Sequence, residues 1–193
     1  MQDFWFYIKL GFTHVLDPTA YDHILFLAAL ALPFTFKSWK KVLILATIFT
    51  ITHCLSLALS VYDVFSVDVA LIEFLIPVTI ALTALLNIFR IFKKDRTTGI
   101  YFQGLATAFF GLIHGFGFSN YFNMLMAEEE NKIGPLFGFA TGIEFSQVAI
   151  VLGVLVLAYL CRDILKIKKQ VFVGLASLLI LIITIPMLIE TFP

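Results

Sequence analysis

A polytopic all-α membrane bundle is the fold class this chain predicts, with six full spans plus a short N-terminal helix, six or seven crossings in all. Three observations predict it. Of 193 residues, 61% are hydrophobic and only 13% charged, and the mean hydropathy is +1.00. A soluble domain carries roughly 45–50% apolar and about 25% charged residues, so lipid rather than water is the solvent of this chain. The apolar residues fall in runs of about 20, the length that crosses a ~30 Å hydrocarbon core. A transmembrane β-barrel would instead alternate over about 10 residues. The links are short and none resembles a soluble domain, so residues 1–193 form a single integral membrane domain.

In chain order, Phe4 to Asp17 predicts a helix of about 14 residues, roughly 21 Å long. That length fits a short crossing, an interfacial helix or the first half of a broken one. Its apolar run is interrupted by Lys9 and lacks a basic leader and a small-residue cleavage site, so it is expected to be retained. Asp17-Pro18 stops this helix and restarts the next, because proline is tolerated in a first turn. The spans expected to follow are Thr19 to Phe36, Val42 to Val61, Val69 to Phe92, Ile100 to Met126, Pro135 to Leu160 and Val171 to Ile189. Cys54 and Cys161 are the only cysteines and are expected to stay unpaired, at different depths.

Charge segregation orients these spans. The basic links hold three (Lys37, Lys40, Lys41), four (Arg90, Lys93, Lys94, Arg96) and four (Arg162, Lys166, Lys168, Lys169) of the 13 Lys and Arg residues. By the positive-inside rule they face the cytoplasm, as expected in a bacterial cytoplasmic (inner) membrane, leaving Asp63 and Glu128 to Glu130 outside.

All four histidines then fall in the outer half of the membrane, on helices of opposite direction. Ionisable groups at that depth are costly and mark function. Asp22-His23 opens a helix whose free amides favour a carboxylate, and His14 can fold back toward His23 across Pro18. Adjacent residues point about 100° apart, so one of the Asp22-His23 pair is a ligand and the other orients it unless the cavity is narrow. His53 is embedded among hydroxyls, with Thr50 and Ser56 three residues to either side. His114 sits in Phe110-Gly111-Leu112-Ile113-His114-Gly115-Phe116-Gly117-Phe118, where Gly111 and Gly115 make a close-packing face and Gly115 and Gly117 permit a local break. Phe49 to His53 and Phe110 to His114 are alike over a segment too short to establish a repeat. The proposed metal ligands are therefore His14, Asp22, His23, His53 and His114. Imidazole nitrogens with one or two carboxylates suit nickel, cobalt, zinc or iron.

Gly138 to Gln147 brings a second carboxylate, Glu144, into an apolar helix, with Gln147 one turn on and Gly138 and Gly142 as packing or break positions. A buried carboxylate must exchange a proton or meet a positive charge. Glu144, Gln147, Glu73 and Asp17 are thus expected along a transport path or in proton exchange, with Asp17 at its rim.

Four ordered motifs resemble the HupE/UreJ family of hydrogenase- and urease-accessory membrane proteins, regarded as nickel or cobalt permeases. They are His14 with Asp22 to Leu27, Phe49 to Leu59, Phe110 to Phe118, and Gly142 to Gln147. The resemblance implies a metal-binding role for His14, Asp22 and His23, with His53, His114 and Glu144 on the same path. It puts nickel or cobalt foremost, with zinc or copper also compatible. Permeation by a divalent transition metal ion is the reading these features favour. The alternatives are a membrane-embedded zinc hydrolase and a structural or sensor subunit with a fixed metal or haem, so enzymatic activity stays open. The expected partners are the lipid bilayer and the metal ion, with no nucleic acid. Glycine faces permit a homo-oligomer or an accessory protein without requiring either.

Overall fold

The computed structural model describes residues 4–65, 67–92, 100–127 and 129–193. Lys93, Lys94, Arg96 and Glu128, which belong to the expected charged links, lie outside the described residues. Among those described, seven α-helices and no strand occur: α1 (Phe4–Val15), α2 (Asp22–Ala31), α3 (Trp39–Val61), α4 (Val69–Phe92), α5 (Ile100–Met126), α6 (Ile133–Tyr159) and α7 (Lys169–Glu190). A 3₁₀ turn at Phe36–Ser38 leads into α3, and a π turn at Leu160–Ile164 closes α6.

Four stretches are long and apolar enough to cross a membrane: Phe36–Val61, Val69–Phe92, Ile133–Ile164 and Lys169–Glu190. The helix α5 has 27 residues, but Gln103, His114, Asn120, Asn123 and four glycines dilute its apolar character. One expected span is replaced. Between Thr19 and Phe36 the helix is only the 10 residues of α2, about 15 Å. Asp17 accepts bonds from the backbone N–H and hydroxyl of Thr19, at 2.8 and 2.6 Å, and this side-chain turn prolongs the Pro18 break to Tyr21. At the other end Pro33 lacks the N–H that another helical turn requires.

The two short helices occupy different levels. The helix α1 packs on the first turns of α6, with Gly138 against Phe4 and Tyr7, and Tyr7 donating to Glu129 at 3.0 Å. In α2, Ala31 packs with Val42, Val151 and Leu155, and the Phe34 carbonyl just beyond accepts from Arg162. The break between α1 and α2 therefore lies at a level between the two ends of the bundle, with Pro18, Thr19 and Ala20 exposed.

The long helices follow from their contacts. The helices α3 and α5 run parallel, pairing Ile48 with Gly104, Phe49 with Gly111 and Ser60 with Asn123. The helices α4 and α7 run antiparallel, pairing Ile91 with Gly174 and Phe74 with Phe192. Lys132 donates to the Val61 carbonyl at 2.9 Å and so joins the end of α3 to the start of α6. Phe34–Arg162 and Phe36–Tyr159 join the opposite ends of these two helices. Lys37 to Lys41 and Arg162 to Lys169 accordingly share one end of the bundle.

Glycine sets the two closest approaches. A side chain at Gly111 or Gly115 of α5 would meet the backbone of α3 at Phe49 or His53. In α1 and α6 the arrangement is reciprocal: Gly11 faces the Phe139 carbonyl, and Gly142 faces the Ile8 carbonyl. The local break expected at Gly115 and Gly117 does not occur. The helix α5 runs through both, α6 runs through Gly138 and Gly142, and no described glycine has positive φ. Gly115 and Gly142 bring backbones together instead, while Gly117 and Gly138 lie against the side chains of Ile76 and of Phe4 and Tyr7.

Candidate metal centre

The end of α1, the start of α2 and the middles of α3 and α5 meet at four imidazoles. His14 and His23 have ring centroids 4.7 Å apart across the Pro18 turn. His53 lies 5.8 Å from His14 and 5.4 Å from His23, and His114 lies 5.3 Å from His23. His14, His23 and His53 each offer a ring nitrogen within 4.8 Å of the other two. His23, His53 and His114 are at most 2% exposed.

Hydrogen bonding decides which nitrogens are free. His23 Nδ1 lies 3.0 Å from Asp22 Oδ1, and His114 Nδ1 lies 2.9 Å from the Phe110 carbonyl. An ionised carboxylate and a carbonyl can only accept, so each Nδ1 carries the proton and each Nε2 keeps its lone pair. The Nε2 atoms of His14, His23 and His114 and both nitrogens of His53 are buried without a hydrogen-bond partner. Five such nitrogens in one place are unusual, since buried polar atoms are normally satisfied. Lone pairs converging from several helices are what a transition-metal ion requires.

Asp22 stands behind this group rather than within it. Its Oδ1 also accepts from the His23 backbone N–H at 2.9 Å, so the carboxylate fixes the ring that presents Nε2. A carboxylate behind a ligating imidazole orients it and raises its basicity. Asp22→Asn keeps an acceptor but loses the charge, and is expected to weaken metal affinity roughly 10–100-fold. Titration calorimetry checks this, and unchanged affinity would remove Asp22 from the site.

Aromatic side chains bound the group on two sides. Phe26 and Phe49 stack at 5.0 Å, Phe110 packs edge-on to Phe26, and both Phe26 and Phe49 touch His114. On the other side Phe118 and Phe139 stack with rings 2° from parallel, and His14 lies 3.9 Å from Phe118. There a cleft of about 460 Å³ opens, lined by His14, Asp17, Pro18, Phe118 and Tyr121 among others. Thr19 donates two bonds to the Asp17 carboxyl there.

The remaining candidates are elsewhere. Glu144 accepts from the hydroxyls of Thr47 and Thr50, both at 2.6 Å, on the α3–α6 face. Gln147 is fully buried, with neither amide atom partnered. Glu73 is exposed on α4 and is not in the histidine group. Neither hydroxyl flanking His53 bonds its ring: Thr50 is turned to Glu144, and Ser56 donates to the His53 carbonyl. Thr47 was not legible as a site residue, because its only signal is a hydroxyl one turn before Thr50. Phe139 gave none. Cys54 and Cys161 are both free thiols.

A helical integral membrane protein with a buried polyhistidine centre is the class that this fold and site define. The sequence model described as HupE / UreJ protein matches residues 1–191, so the chain belongs to the HupE/UreJ family. No curated protein and no solved structure matches the chain.

Proposed function

We propose that this protein is a permease for a divalent transition metal ion, nickel or cobalt foremost, and that His14, His23, His53 and His114 bind the ion during passage. The observation that carries this reading is the set of five buried, unpartnered imidazole nitrogens. Membership of a family linked to nickel and cobalt handling supports the choice of ion. The cleft at His14 and Asp17 supplies access, and the break between α1 and α2 places ligands on two half-helices, as in transporters built around discontinuous helices. Taken as one broken crossing, α1 and α2 with α3 to α7 make six crossings. Both termini are then outside and the basic links cytoplasmic. External labelling of a cysteine introduced between Lys37 and Lys41 would reverse that orientation.

Two alternatives fare less well. A haem between His53 and His114 needs a flat slot, and His23 and Phe49 fill that space. A hydrolase needs a carboxylate base at the metal, but Asp22 is engaged by His23 and Glu144 by two threonines.

Purified protein in liposomes containing a metal-responsive dye tests the reading. Nickel or cobalt influx should appear with the parent protein and vanish with His53→Ala. Tight stoichiometric binding without influx would overturn transport in favour of a fixed-metal subunit. Metal affinity should also fall on acidification, because protons compete for the same imidazole lone pairs. Calorimetry between about pH 5.5 and 8 spans the ordinary imidazole range. If Glu144 exchanges protons along the path, Glu144→Gln flattens that dependence; an unchanged slope excludes it.

A further inference from the structure

Glu144 presents a chemical problem that the histidine centre does not solve. It lies half-buried where α6 meets α3, a crevice only in the sense that Thr50 behind it is buried and Thr47 beside it is exposed. The surrounding surface is apolar, with Ile44, Ile51 and Phe145 at 55%, 61% and 61% exposure. These are side chains that lipid covers, so the crevice opens at hydrocarbon level. A carboxylate there is expensive unless a positive charge or a proton neutralises it.

No neighbour supplies the charge, for among the described residues Glu144 makes no ion pair. On α3 Cys54 offers only a thiol and the His53 ring packs with His14 and His23, while Lys40 and Lys41 are exposed at the far end. On α1, which packs against α6, Tyr7 is turned to Glu129 and Lys9 is exposed. On α2 the only titratable groups, Asp22 and His23, bond one another. Glu144 and Tyr159 are the titratable residues of α6, and Tyr159 packs with Phe36 at the basic end.

The donors around Glu144 are all oxygen. Both carboxylate oxygens are held at 2.6 Å by Thr47 and Thr50, and the Thr50 hydroxyl lies 3.3 Å from the Ala46 carbonyl. Oxygen-only sets select hard cations, whereas the imidazole group that His53 joins, one turn along α3, suits transition metals. One carboxylate balances one positive charge. We infer that Glu144, Thr47 and Thr50 form a second site, distinct from the histidine centre, that binds a small hard monovalent cation: sodium or a proton. Its use as the coupling ion rests on the permease reading; its existence as a site does not.

The test uses the full-length protein in lipid nanodiscs and infrared difference spectroscopy of the carboxyl groups. One arm titrates protons in choline chloride; the other titrates sodium at an alkaline pH. A protonated-carboxyl band in the first arm identifies the proton, and a sodium-dependent carboxylate shift in the second identifies sodium. Either signal should disappear in Glu144→Gln. Thr47→Val with Thr50→Val should raise the ion concentration at half-response at least tenfold. Circular dichroism verifies the helical content of both variants, and the threonine variant tests the site even if Glu144→Gln fails to fold. Spectra of Glu144→Gln that match the parent in both arms would overturn the site, as would an unshifted response in the threonine variant. Nickel affinity of the parent, measured on the same sample, reports separately on the histidine centre. Its absence would sink the permease reading while leaving the carboxyl signal standing.

Discussion

His23→Ala should lower metal affinity by about two to three orders of magnitude, or roughly 3–4 kcal/mol at 1.4 kcal/mol per decade. The reason is its central position: His23 touches His14, His53 and His114, and it is the ring that Asp22 orients. Elemental analysis and calorimetry of the purified variant measure the loss. Thermal unfolding gives a second readout. A ligand at about 1,000 times its Kd stabilises the folded state by about 4 kcal/mol, so nickel should raise the Tm of the parent but not of the variant. Without metal the variant should unfold at a lower temperature than the parent, because the substitution leaves a cavity and removes the imidazole partner of Asp22. The metal-dependent rise in Tm is therefore compared within each protein. A variant that kept the parent's affinity would show that the imidazoles do not act on one ion.

The second large effect concerns glycines. Gly142→Leu drives a side chain into the Ile8 carbonyl and the Phe12 amide of α1, both of them backbone groups that cannot rotate away. Overpacking of this kind costs about 1–3 kcal/mol, occasionally more. The expected result is separation of α1 from α6, a lower Tm and loss of His14 from the site. Gly115→Leu should do the same to α5 against the His53 carbonyl, displacing His114. Gly134→Leu is the control, since nothing lies within 4 Å of the side-chain position there. If Gly142→Leu behaved like Gly134→Leu, the α1–α6 approach would be wrong.

Membrane class and the meeting of the four histidines were legible because both depend on composition and position along helices, which lipid constrains tightly. The boundaries of α4 and α5 agree with the residues expected, and those of α3, α6 and α7 differ by up to three. The shortness of α2 was not legible, because apolar residues continue past Pro33 to Phe36 and the Asp17–Thr19 bonds that delay its start leave no mark on composition. Gly115 serves the close packing its spacing from Gly111 suggests, whereas the break that Gly115 and Gly117 permit does not form: a glycine suits either use, and only its neighbours distinguish them. The pairing of Asp22 with His23 was one of two readings left open by their adjacency. The pairing of Glu144 with Thr47 was hidden because those residues are 97 positions apart.

The seating of α1 has a consequence in the terms of chelation. His23, His53 and His114 belong to the enclosed bundle, whereas His14 rides on a 12-residue helix whose principal seat is α6. Of the three rings whose nitrogens converge, His23 and His53 sit in the enclosed bundle and His14 sits on α1. His14 also lines the cleft. The seat of α1 on α6 therefore fixes two things together: how many imidazoles meet, and how wide the cleft beside them stands.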